Sequence, residues 1–427
     1  MAGEVRHPID IAALERYIAQ NVPEIKLPLD VKQFGFGQSN PTYQLTSPDQ
    51  KRYVLRKKPA GKLLSQAAHK VEREHRVIAA LQPTPVPVPR AFALCADPAV
   101  LGTPFYIMSF VDGRIIHDPS MPSPHAKSPQ ERERLWRAAV ESLAALHAVD
   151  PDSVGLANFG KKEGFYARQL ATWSHICDVQ ARTTDVDTGA PVGEMPHMRE
   201  LVGFFADGAL RPRDRATLVH GDYKIDNVVF EKGRARVAGI LDWEMSTIGH
   251  PLSDLANLLN PYFLVSLAQL PPPPPPSSPS SSSSSSPESS STESPDDTAA
   301  PPTQTEAIAA ITNRAFLPNA TPGLPSPSTI VSWYAAAAGW DPRPEEVAWA
   351  CAFSVFRLAA ICQGIAARVA RRQASSADAR RHAAVVGPLG EFAWELVRKE
   401  MQKRGVGTAA GAAATAAGAA RSGGAKL

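Results

Sequence analysis

The stretch HGDYKIDN at residues 220–227, followed by VAGILDW at residues 237–243, decides how the rest of the chain is read. Four residues separate Asp222 from Asn227, and Asp242 closes an apolar strand-like run after a hairpin. Phosphoryl transfer from a nucleoside triphosphate requires such a set. One Asp accepts or orients the proton of an attacking hydroxyl, while the Asn and the later Asp are hard oxygen ligands for magnesium. Asp, Asn and Gly also favour turns whatever their function, so the motif gains meaning only from its surroundings.

Upstream, FGFGQSN at residues 34–40 lies between two strand-like segments, where a phosphate-covering loop belongs. Gly35 and Gly37 let backbone approach phosphate and Ser39 adds a donor, although a third glycine is missing. In RYVLRKKP, residues 52–59, strand alternation puts Arg56 and Lys58 on one face and Lys57 on the other. Arg56 stands where a kinase normally carries the lysine that clamps phosphates. Its expected carboxylate partner in KVEREHRVIAAL is Glu74, with Glu72 second.

Around these motifs the chain alternates between patterns. Asp10 caps a short amphipathic helix, IAALERYIAQ, in an N-terminal extension over residues 1–30. Two or three antiparallel strands are expected between Val31 and Arg56. A helix follows over Ser65–Leu81 with Ala68, Val71, His75, Ile78 and Leu81 on its apolar stripe, then two strands at ALCA and PFYIMSFVDG. These place a small lobe at residues 31–113. Residues 114–403 read as mainly helical around a β-rich interlude, Thr217–Ser246. Pro/Ser-rich residues 271–302 and the Gly/Ala-rich tail 404–427 lack the apolar side chains that ordering needs and are expected to be disordered. The fold class expected is α+β.

Lys plus Arg number 45 against 42 Asp plus Glu, a near-balance that argues against a nucleic-acid binder. The four cysteines show no metal or disulfide spacing, which points to a reducing compartment. Acidic residues early in the chain argue against a secretory signal. Arg357 and Gln363 interrupt the most apolar stretch, Val347–Ala370, so a buried helix is expected there and no membrane span.

GFGQSNPTYQL, YVLRKKP, VEREHRVIAAL, FYIMSFVDG, LAALHAVD, LVHGDYKIDNVVF and ILDWEMSTIGHPLSDLANLL occur in this order over Val31–Leu259. Together they resemble the aminoglycoside phosphotransferase-like (choline kinase-type) kinases. VLRKKPAGKLL and DWEMSTIGHPLSDL are similar to the branch that also forms the N-terminal kinase-like domain of bifunctional acyl-CoA dehydrogenases. The resemblance implies a protein-kinase-like two-lobed fold, with a small antiparallel-sheet N-lobe and a mainly helical C-lobe. It also implies ATP and Mg2+ as cofactors, and an adenine-facing hinge over Met108–Val111 that includes Met108 and Phe110. Asp222 takes the catalytic-base position, Asn227 and Asp242 the metal positions, Arg56 the phosphate clamp and Glu74 its helix partner.

The acceptor implied by the branch is a small molecule with a hydroxyl, such as a 4-hydroxyacyl-CoA. Its phosphate would then be eliminated with the help of a separate acyl-CoA dehydrogenase. A kinase of another hydroxylated metabolite or aminoglycoside-like compound, or a pseudokinase acting as a binding module, are the alternative readings. A protein kinase is disfavoured because no APE-type segment follows Asp254. His147 and His220 read as structural, and the arginines at 368–372 and 380–381 as a basic patch that an acidic thioester could use. Ala425-Lys426-Leu427 resembles a peroxisomal address for an import receptor, which makes the expected location peroxisomal, with the cytoplasm as the alternative.

Overall fold

The computed structural model describes residues 2–35, 40–59, 70–269, 302–374, 376 and 378–406. Gly37, Ser39, the start of the Ser65–Leu81 helix, nearly all of the Pro/Ser segment and the Ala425-Lys426-Leu427 terminus lie outside them. The chain divides into two compact units. One comprises Met1–Tyr166, Arg213–Leu259 and Pro318–Val347, and the other Ala167–Pro212, Asn260–Leu317 and Ala348–Leu427.

The first unit begins with β1 (Ala2–Gly3), α1 (Ile11–Asn21), β2 (Asp30–Phe34), β3 (Thr42–Thr46), β4 (Arg52–Lys57), α2 (Val71–Leu81), β5 (Ala91–Cys95), α3 (Pro98–Leu101) and β6 (Phe105–Ser109). The six strands form one antiparallel sheet in the order β1-β2-β3-β4-β6-β5. Asp10 starts α1 by accepting from the Ala13 amide at 2.9 Å. Leu14 and Ile18 of α1 then pack on Tyr43, Leu45, Leu55, Phe105 and Ile107, all buried on one face of the sheet. Each such side chain contributes about 2 kcal/mol by leaving water. The opposite face receives α2.

The buried residues of α2 are Val71, Glu74, Val77, Ile78 and Leu81. This corrects the expected stripe. His75 is only half-buried, edge-on to Tyr106, whereas Glu74 is 1% exposed because polar partners await it inside.

Then come β7 (Arg114–Ile115), α4 (Pro129–Ala148), α5 (Phe165–Ala181), α6 (Met198–Ala206), β8 (Thr217–Val219), β9 (Val228–Phe230), β10 (Val237–Ile240), β11 (Thr247–Gly249), α7 (Leu252–Leu264), α8 (Gln304–Ile311), α9 (Pro327–Ala338), α10 (Pro344–Ala370), α11 (Ala379–Ala384) and α12 (Val386–Lys403). The interlude makes two small antiparallel sheets, β10-β9-β7 and β11-β8. Helices α6, α8 and α11 were not expected from the pattern. In the second unit Phe205 of α6 packs edge-on to Trp349 and Phe353 of α10. By length and composition α10 is apolar enough to cross a membrane, and 67% of its apolar window is buried inside the fold.

Candidate active site

Strand β8 delivers the chain to His220, whose ring joins two loops. Its Nδ1 accepts from the Asp222 amide at 3.2 Å and its Nε2 lies 2.8 Å from the Leu241 carbonyl. A carbonyl only accepts, so Nε2 carries the proton and Nδ1 is bare. The ring thereby braces the backbone at Asp222 and beside Asp242. Gly221 has φ +89°, and a Cβ there would sit 2.5 Å from the Met245 carbonyl oxygen, so only glycine fits.

Beneath this loop lies Asp254 of α7, fully buried. Its carboxylate accepts from the His220 amide (2.7 Å), the Gly221 amide (2.8 Å) and His147 Nε2 (3.2 Å). The other His147 nitrogen lies 2.7 Å from the Tyr334 hydroxyl of α9. Burial pushes the Asp254 carboxyl upward, but the His147 bond, the nearby histidines and the His220 amide outweigh it and hold the pKa below its ordinary value.

Asp222 is fixed from both sides. Asn227 Nδ2 lies 3.3 Å from one carboxylate oxygen and Asn257 Nδ2 3.3 Å from the other, while Lys224 Nζ stands 3.4 Å away. Asn227 Nδ2 also donates to the Asp222 carbonyl at 2.9 Å, leaving its carboxamide oxygen as the acceptor end. The β9–β10 register pairs Val228 with Ile240, and the Leu241 amide donates to the Asn227 carbonyl at 2.9 Å. Asn227 and Asp242 therefore meet at one end of this hairpin. Asp242 takes a left-handed backbone, φ 66°, which Asp tolerates better than most residues.

Arg56 of β4 is the electrostatic centre. Its guanidinium reaches Glu74 (3.2 Å), Asp242 (3.1 Å) and Glu244 (3.0 Å), three carboxylates around one cation. Its Nε is buried without a hydrogen-bond partner among the described residues. Burial works to lower the Arg56 pKa, yet Glu74 and its other neighbours raise it and keep the group charged. Glu74 also accepts from Tyr106 Oη (3.0 Å) and Asn40 Nδ2 (3.2 Å). Burial pushes the Glu74 carboxyl up to about 7 against the pull of Arg56 and Tyr106. The second candidate, Glu72, is 3.9 Å from Lys58 instead.

Phe110, just past β6, lies nearly parallel to Phe34 at 6.5 Å between ring centroids, and Arg52 covers it at 4.0 Å. Met108 lies in β6 opposite Val54. Gly35 directly follows β2. Of the basic patch, Arg372 is paired with Asp187 at 2.7 Å and Arg381 with Asp378 at 2.8 Å.

Sequence reasoning missed Glu244, Asp254, Asn257, Tyr334, Asn40 and Tyr106. The signal for Glu244 and Asp254 was present in DWEMSTIGHPLSDL, and Asn257 follows Asp254 by one helical turn. Tyr334 gave no signal, because an apolar helix position reads as core.

A strand-presented cation paired with a helix carboxylate, ahead of an HxD loop and a second Asp after a hairpin, is the framework of the protein-kinase-like α+β fold. The phosphotransferase enzyme family model, APH, matches residues 30–270, and the chain belongs to that family. It is 35% identical over 403 residues to chicken (Gallus gallus) acyl-CoA dehydrogenase family member 11, covering 93% of this chain and 45% of that protein. The chain thus spans about half the length of this relative.

A Ralstonia eutropha protein provisionally assigned as an aminoglycoside phosphotransferase superposes with a TM-score of 0.68 at 32% identity, over 92% of this chain and 99% of the other. Choline kinase from Cryptosporidium parvum shares the fold at a TM-score of 0.50 and 13% identity, over 92% and 95% of the two chains. The protein is a phosphotransferase of the kinase-like fold.

Proposed function

We propose that the protein transfers the γ-phosphoryl group of ATP to a hydroxyl of a small molecule, and that the acceptor is a hydroxyacyl-CoA. The observation that carries the reading is the placement of Asp222. Its carboxylate is held by Asn227 and Asn257, and its amide is tied through His220 to the segment that presents Asp242. Asp222 takes the hydroxyl proton as the new O–P bond forms and the bond to the β-phosphate oxygen breaks, with ADP leaving. Catalysis is then mainly positioning and charge stabilisation.

Among the described residues no cluster of three or more His, Cys, Asp or Glu is arranged to hold a metal. A magnesium ion brought with nucleotide needs only one or two protein oxygens, and the meeting of Asn227 and Asp242 fits that demand. These two residues would hold it, and it would neutralise charge on the phosphates. Arg56 supplies a second positive charge beside Asp242. Phe34 and Phe110 offer flat apolar faces to a purine.

The acceptor class rests on similarity to a protein named as an acyl-CoA dehydrogenase family member. Phosphorylating a 4-hydroxyl turns it into a good leaving group, so acyl-CoA dehydrogenase activity is the expected partner in β-oxidation, and the peroxisome the expected site. The test is ADP release by purified protein with magnesium and a panel of hydroxyacyl-CoA thioesters, free hydroxy acids and aminoglycosides, with Asp242→Ala as the blank. Stimulation by the thioesters, with a phosphorylated thioester in the mass spectrum, is expected. Stimulation only by another class would replace the acceptor, and no stimulation together with no thermal shift by magnesium nucleotide would leave a binding module.

A further inference from the structure

Arg73 stands beside Glu74 on α2, and its side chain leaves the helix in another direction. Its Nη2 donates to the Phe159 carbonyl at 2.9 Å and to the Ser246 carbonyl at 3.3 Å. Its guanidinium lies over the Phe159 ring at 4.0 Å. Both acceptors are firmly placed. Phe159 is buried, a Cβ on Gly160 would sit 2.7 Å from the Ile248 amide, and the Ser246 hydroxyl donates to the Trp243 carbonyl at 2.7 Å. Ser246 belongs to the short segment that begins with Asp242 and Glu244. Two consecutive residues of α2 therefore reach one segment, Glu74 through Arg56 and Arg73 directly.

We propose that Arg73 is a positioning residue for nucleotide binding: it fastens α2 to the Asp242–Ser246 segment, so that the Arg56–Glu74 pair is set opposite Asp242 before nucleotide arrives. The inference rests on the phosphotransferase reading. Nη2 at the far end of the side chain serves both carbonyls while the guanidinium plane lies over the ring; a lysine ammonium ends about one bond short of that nitrogen and has no plane to cover the ring.

The test is calorimetric MgATP binding, alongside steady-state kinetics, for wild type, Arg73→Lys, Glu74→Gln and the double variant. Arg76→Lys serves as control, because Arg76 reaches the Gly155 carbonyl and not the Asp242–Ser246 segment. Arg73→Lys is expected to weaken MgATP binding about tenfold, the size of one lost charged hydrogen bond, with acceptor KM and melting temperature close to wild type. In the Glu74→Gln background the same change should have little further effect, because the pair it positions is already broken. Unchanged affinity in Arg73→Lys, or losses that simply multiply in the double variant, would overturn the inference while leaving the phosphotransferase reading intact. Wild-type protein that binds no MgATP would overturn both.

Discussion

Asp254→Asn keeps the shape of a fully buried side chain and removes its charge, so its effect reports what the charge does. The carboxylate accepts from two backbone amides and a histidine, at 2.7, 2.8 and 3.2 Å. A carboxamide has one accepting oxygen. Placed where it serves both His220 and His147, it turns its NH2 toward the Gly221 amide, donor against donor. One charge-assisted bond is then lost and two donors are set against each other at Gly221, costing about 2–3 kcal/mol in all.

Because Gly221 adjoins Asp222, the catalytic loop should loosen before the rest of the fold. Urea unfolding and phosphoryl transfer measured on the same preparation test this. Asp254→Asn should lose that much stability and also lower kcat, with MgATP binding less affected. The ionised Asp254 has a lowered pKa, so its stabilisation is present above the unfolded value of about 3.9 and is lost as pH falls through the folded value. Asp254→Asn should lack this acid limb. A variant within about 0.5 kcal/mol of wild type, with normal turnover, would refute the reasoning.

Other consequences can be measured independently. Glu74, held up to about 7, keeps an extra proton in the folded chain, so stability falls as pH rises through 7. Between pH 6 and 8 Glu74→Gln should flatten the stability profile by about 1 kcal/mol, and an unchanged slope would show that Glu74 is already ionised at pH 6. Gly221→Ala, forced into φ +89° against Met245, should cost more than about 2 kcal/mol and abolish transfer; normal activity would mean that the loop yields easily. With Ala425-Lys426-Leu427 at a free C terminus, deleting Leu427 from a fluorescent fusion should disperse peroxisomal puncta, and unchanged puncta would point to another signal.

Elements with a strong period or a cap were legible in the sequence. Asp10 and the Leu14/Ile18 spacing marked α1, and the alternation in RYVLRKKP put Arg56 and Lys58 on one face, where they meet Glu74 and Glu72 of α2. What failed was the treatment of charge. Glu74 was named as the partner of Arg56 but left off the buried stripe of its helix, because amphipathic reading has no way to see Tyr106 and Asn40 waiting inside. Helix α8 was overlooked although Thr303 and Glu306 form a capping box, because the Pro/Ser composition just before it dominated the window.

The site was legible as a set of residue types but not as a network. Arg56 and Asp242 are 186 residues apart, and nothing local announces that both share a guanidinium bond with Glu244 close by. Asp254 stood in the motif DWEMSTIGHPLSDL, but its role answers a question the chain poses only once folded, namely what satisfies the amides of His220 and Gly221.

The most direct measurement is single-turnover phosphoryl transfer by Asp222→Asn, run beside MgATP binding on the same sample. The account predicts that transfer falls by about a thousandfold or more while nucleotide affinity stays within a few-fold of wild type, since the carboxamide keeps the side chain's shape and one of its two bonds to Asn227 and Asn257 but cannot take the hydroxyl proton. Transfer at the wild-type rate would remove Asp222 from the chemistry and contradict the mechanism.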